Sequence, residues 1–157
     1  MRGTTPIFPV DPLNNFSVSF QVSVQFDHGP GVQAISLISS KPAAGSIAVV
    51  SGWGTLSSGG STLPSQLQAV EVDITSRTTC NSAYASYGGI TVNMICAGVT
   101  GGGKTISRLI LPSPLVVGGQ QAGIVSWGVG CLDARYPGVY SNNATLRSFV
   151  TQDSGVQ

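Results

Sequence analysis

From Phe16 to Phe26 the chain alternates without a fault. Phe16, Val18, Phe20, Val22, Val24 and Phe26 stand against Ser17, Ser19, Gln21, Ser23 and Gln25. A helix returns to the same face every 3.6 residues, so it would scatter these side chains around its axis. An extended strand puts every second residue on one face and therefore needs an apolar partner surface on that side alone. The alternation predicts a half-buried strand, closed by the turn signal Asp27-His28-Gly29-Pro30.

Strand-like segments then follow at short intervals: 32–38, 46–52, 67–74, 90–97, 115–117, 122–127 and 139–141. Lys41-Pro-Ala-Ala-Gly45 and the Gly/Ser stretch from Leu56 to Pro64 separate some of them. Short helices are expected near Cys80, within 77–87, and at the end of the chain over 146–152. Many short strands between turns, with no alternation of strand and long helix, predict an all-β fold: an antiparallel sandwich or barrel.

The polar component is Ser, Thr, Gly and Asn rather than charge. Only 8% of residues are Asp, Glu, Lys or Arg, against 41% hydrophobic, and the formal net charge is +1. Such a balance argues for a packed core and against a polybasic surface that would recruit nucleic acid or anionic lipid. No apolar run reaches the roughly 18–20 residues of a membrane span. The first ten residues are too proline-rich, and their apolar part too short, for a signal peptide. The three cysteines, Cys80, Cys96 and Cys131, leave one thiol over if two pair. His and Cys do not recur at zinc-ligand spacing, so no metal and no cofactor is expected.

One local pattern suggests nucleotide chemistry. Residues 98–105, Gly98-Val-Thr-Gly-Gly-Gly-Lys104-Thr105, fit the phosphate-cradling loop in which backbone N–H groups wrap phosphate and Lys and Thr serve the terminal oxygens and magnesium. That loop needs a long helix after it. Pro112 and Pro114 would cut one off within two turns, so this reading remains remote.

A denser set of motifs runs through the same region. Ser51-Gly-Trp-Gly54, Leu67-Gln-Ala-Val-Glu-Val72, Cys80-Asn-Ser-Ala-Tyr84, Asn93-Met-Ile-Cys-Ala-Gly98, Ser126-Trp127-Gly128, Gly130-Cys131 and Tyr136-Pro-Gly138-Val-Tyr140 occur in this order. Together they resemble the trypsin-like serine proteases, over Asn14 to the C-terminus. The resemblance implies an antiparallel six-stranded barrel with remnants of a second barrel and a short C-terminal helix. Residues 1–13 stay unassigned, and 14–157 form a partial protease domain. It also implies serine endopeptidase activity on peptide or protein substrates, and an extracellular setting.

The catalytic residues of that family are missing from the matching positions. Its nucleophilic serine falls on Leu111, the oxyanion-hole glycine on Leu109, and the neighbouring aspartate on Ile110. The orienting aspartate falls on Phe16 or Ser17, depending on one gap. The histidine base would lie upstream of Met1, and the one histidine present, His28, sits in a turn. The mechanism needs serine, histidine, aspartate and an oxyanion hole together, so the chain is expected to be inactive. Ser107 and Ser113 are nearby loop hydroxyls outside the aligned position.

The substrate-pocket positions are better kept. Ser126, Trp127, Gly128 and Gly138 match the pocket walls, while Thr105 replaces the charge at the pocket base. The resemblance pairs Cys80 with Cys96 and leaves Cys131 a free thiol, because its partner's position is Ser107. A chain with the pocket walls but no nucleophile suggests a second function, a pseudoprotease that binds peptides or protein partners. The sequons Asn15-Phe-Ser17 and Asn143-Ala-Thr145 complete the inventory.

Overall fold

The computed structural model describes residues 27–54, 62–99, 113–129 and 135–154. Its elements are β1 (Ile47–Gly52), β2 (Gln68–Thr75), α1 (Arg77–Ala83), a 3-10 turn (Ala85–Tyr87), β3 (Met94–Gly98), β4 (Pro114–Val117), β5 (Gln120–Trp127), β6 (Gly138–Ser141) and α2 (Asn143–Ser154). The strands pair antiparallel in the order β1-β2-β3-β6-β5-β4, and β4 returns to β1 to close a barrel. Closure leaves no strand edge within the sheet, which is how all-β proteins avoid edge-to-edge association.

Period-two patterning decides which side chains fill the barrel. Ala48 and Val50 of β1, Val72 and Ile74 of β2, Ile95 and Ala97 of β3, Leu115 of β4, Ala122 of β5 and Tyr140 of β6 form the interior cluster, with Ile38 at one end. Their strand neighbours Ile47, Val49, Ala69 and Glu71 point outward and are exposed. The β5–β6 seam is tight. A Cβ on Gly123 would overlap the carbonyl oxygen of Ser141, so the barrel closes here only with glycine.

β3 departs from alternation, because Met94, Ile95, Cys96 and Ala97 are all buried. Its outer face is covered by a second cluster, in which Cys80 of α1 and Tyr84, the residue that caps its C-terminal end, meet Ile90, Met94, Cys96 and Val139. The Cys80–Cys96 disulfide, with Cα atoms 6.4 Å apart, pins α1 onto this face. Ser76 starts α1 as its N-cap, its Oγ accepting from Thr79 N–H at 3.0 Å. Gly88, with φ of 89°, ends the turn that follows.

Several boundaries differ from those read in the sequence. Segment 32–38 is not a strand; only isolated bridges occur, Gly29 with Val32 and Leu37 with Gln121. Val32 and Ile35 are exposed there, while Ile38 at the end of the run is buried and donates its N–H to the Gln121 carbonyl, so the segment meets β5 at that end. β3 begins at Met94 rather than 90, because 92–93 form a turn. The short helix expected near Cys80 within 77–87 is α1, and a 3-10 turn follows it over Ala85–Tyr87. α2 starts earlier than 146, at Asn143, where the carbonyl of Asn142 accepts from Thr145 and Leu146 N–H groups. The predicted strand 16–26 lies outside the described residues.

Candidate functional site

The end of β5 and the start of β6 form a wall supported from behind by one tyrosine. Ser126 and Trp127 close β5, Gly128 follows in an exposed position, and Gly138 opens β6. A Cβ on Gly128 would lie 3.7 Å from the Tyr84 hydroxyl oxygen and 3.9 Å from the Gly138 Cα. On Gly138 a Cβ would come within 3.2 Å of the Tyr140 ring, tighter than ordinary contact. The two glycines therefore bring the backbones of 128 and 138 together with Tyr84 behind them.

Tyr84 is fully buried. Its hydroxyl donates to the Pro137 carbonyl at 2.7 Å and accepts from Val129 N–H at 3.4 Å. Its ring meets Trp127 edge-on at 4.7 Å between centroids and Tyr136 at 5.5 Å. One side chain thus fixes the segment after β5 and the segment before β6. Burial raises the Tyr84 pKa above its ordinary value, the Val129 N–H opposes that shift, and the neighbouring phenols Tyr136 and Tyr87 add to it. The Arg135 guanidinium lies 5.9 Å from the Tyr136 ring centroid, at the limit of a cation–π contact.

Inside the barrel, burial pushes the Tyr140 phenol up to about 12. A proton donor held that firmly is no base at neutral pH. No group of three or more His, Cys, Asp or Glu side chains suited to a metal occurs among the described residues. No helix among them is long and apolar enough to cross a membrane.

The structure brings Ser126, Trp127, Gly128 and Gly138 to one place. Leu109, Leu111, Thr105, Ser107 and Cys131 lie outside the described residues. Ser113 is buried, and its carbonyl accepts from Val125 N–H at 2.9 Å. His28 is exposed, on the segment preceding β1. Gly98, the first residue of the phosphate-loop pattern, ends β3 with its Cα facing Pro137; residues 100–112 lie outside the described set. No βαβ unit occurs among the described residues.

Sequence reasoning gave Tyr84 no role of its own. A signal was present: it lies four residues after Cys80, on the same helical face, so a buried disulfide there implies a buried ring beside it.

The family model for trypsin matches residues 18–150. The chain belongs to the trypsin family. It is 44% identical to trypsin beta of Drosophila erecta over 147 residues, covering 93% of this chain and 57% of that protein. It is 49% identical to trypsin alpha-3 of Lucilia cuprina over 120 residues, covering 76% of this chain and 71% of that one. Among solved structures it resembles mouse neuropsin, a serine protease expressed in the limbic system of the brain, with a TM-score of 0.79, 32% identity, and coverage of 86% of this chain and 60% of that one. The chain spans about half the length of the Drosophila trypsins it matches. The trypsin fold accounts for the closed barrel and the disulfide together.

Proposed function

We propose that this chain is a catalytically silent member of the trypsin family. Its residues 14–157 correspond to the end of the family's first barrel and all of the second. What supports the reading is the closed barrel of a trypsin-family chain together with the order of the motifs flanking residues 105–113, which sets Leu111 at the nucleophile's position and Leu109 at that of the oxyanion-hole glycine. A leucine side chain offers no lone pair to attack a carbonyl. Ser107 and Ser113, the nearest hydroxyls, fall outside the position at which the triad activates a serine. Hydrolysis of chromogenic trypsin peptides by the purified chain tests this. No turnover above the uncatalysed rate is expected, and saturable turnover that survives repurification would contradict it.

A second reading is peptide or protein binding without cleavage, in an extracellular setting. It is favoured by the Tyr84–Trp127–Tyr136 support behind an exposed Gly128. An extended peptide pairs with backbone groups and rests apolar side chains on aromatic rings. Titration of the chain with an uncleavable basic or apolar peptide, followed by Trp fluorescence, tests it. A saturable change lost in Gly128→Val supports binding; no change with either peptide contradicts it.

A further inference from the structure

Asn143 carries the acceptor sequon Asn143-Ala-Thr145, and the fold encloses it. It is the first residue of α2 and is 7% exposed. Its Nδ2 donates to the Gln121 carbonyl of β5 at 3.3 Å, and its Oδ1 lies 3.5 Å from the Ser141 Oγ. The same Gln121 carbonyl accepts from Ile38 N–H at 3.0 Å, and the Arg147 guanidinium donates to the Leu37 carbonyl at 2.7 Å. Asn143 thus sits where α2, β5 and the segment entering the barrel meet. Thr145 is held too, its hydroxyl donating to the Asn142 carbonyl at 3.0 Å.

Glycosylation needs this amide in the open. The Nδ2–C1 bond to the sugar forms, the bond from C1 to the pyrophosphate of a lipid-linked oligosaccharide breaks, and one amide proton leaves to a base of the transferase. In the folded chain Nδ2 points at a backbone carbonyl, and its surroundings include Ile38, itself 7% exposed. A sugar ring attached there would occupy the volume in which α2 docks against β5.

We propose that Asn143 is a fold-gated glycosylation site: it is an acceptor only while the barrel is open, and a glycan there excludes α2 docking. The inference does not depend on whether the chain cleaves or binds peptides.

The test uses the full chain carrying Asn15→Gln, so that one sequon remains. A purified single-subunit oligosaccharyltransferase and a lipid-linked donor are supplied to the oxidised folded chain and to the reduced, alkylated, open chain. Modification of the Asn143 peptide is followed by mass spectrometry. The open chain is expected to be modified at least about tenfold faster, because the folded chain must first open locally. Oxidised Gly123→Val, which cannot close the β5–β6 seam, should react like the open chain, and Thr145→Ala should abolish modification in every state. Equal rates for folded and open chains would overturn the proposal. So would failure of the open chain to be modified.

Discussion

The hydroxyl of Tyr84 donates to the carbonyl of Pro137 at 2.7 Å, joining the end of α1 to the segment that enters β6, 53 positions later in the chain. This bond, with the Val129 N–H contact, holds both sides of the candidate site from a single buried ring. Tyr84→Phe keeps the ring stacking and leaves the Pro137 carbonyl without this donor. The expected loss is about 1–2 kcal/mol, the usual cost of orphaning a buried polar group. Tyr84→Ala also removes the ring and should cost about 3–5 kcal/mol. Urea midpoints of the two variants check the difference; a Tyr84→Phe midpoint equal to the parent's would show that the hydroxyl contributes nothing.

The Cys80–Cys96 bridge closes a loop of sequence separation 16 between α1 and β3. Loop-closure entropy assigns such a bridge about 3 kcal/mol. The paired Cys80→Ser, Cys96→Ser variant should lose that much, or somewhat more because two hydroxyls enter a dry cluster. Chemical denaturation under identical buffers measures it. Both sulfurs belong to buried residues, so mild reductant should leave the native bridge intact while the denatured chain is reduced at once.

Gly123 faces the Ser141 carbonyl too closely for any Cβ. Gly123→Ala should therefore separate β5 from β6 and cost about 1–3 kcal/mol or more, the range for forcing an added carbon into a packed site. Amide hydrogen exchange at Ile124, whose N–H donates to the Ser141 Oγ across this seam at 3.0 Å, should rise relative to exchange in β1. Unchanged protection at that amide would contradict the stated closeness.

The two raised tyrosines set the alkaline limit. Tyr140 is pushed up to about 12 by burial, and Tyr84 is raised in the same direction. An acid whose folded pKa lies above its unfolded value, about 10 for tyrosine, keeps its full stabilising contribution below pH 10. That contribution falls as pH rises from 10 through the folded value, since the unfolded state then releases protons the folded state retains. For Tyr140 alone the eventual loss is on the order of 2–3 kcal/mol. Urea midpoints should be flat between pH 8 and about 9.5 and decline above pH 10. Tyr140→Phe should flatten the decline, and a decline as steep as in the parent would assign it to other groups.

How much of this was legible in the sequence follows from where each signal comes from. Alternation such as Val70, Val72 and Ile74 against Glu71 and Asp73 placed β2 within a residue of its observed span, because one face of that strand meets the core and the other meets water. β3 was harder to bound, since α1 covers its outer face and erases the alternation. The 32–38 run has the composition of a strand, but among the described residues its pairing is confined to the isolated bridges at Val32 and Leu37, and composition alone carries no information about partners. Gly128 and Gly138 could be placed on pocket walls by motif. Their shared dependence on Tyr84 runs through its contacts with Val129 and Pro137, 45 and 53 positions away, which local pattern does not encode.

A trypsin barrel with leucine at the nucleophile's position is expected to hold no activated serine. Labelling of the purified full chain with a fluorophosphonate probe, which marks only a serine activated for attack, tests it most directly. No label is expected on the parent chain, because Leu111 offers no hydroxyl at the nucleophile's position. Stoichiometric labelling of the parent that is lost on denaturation would contradict it.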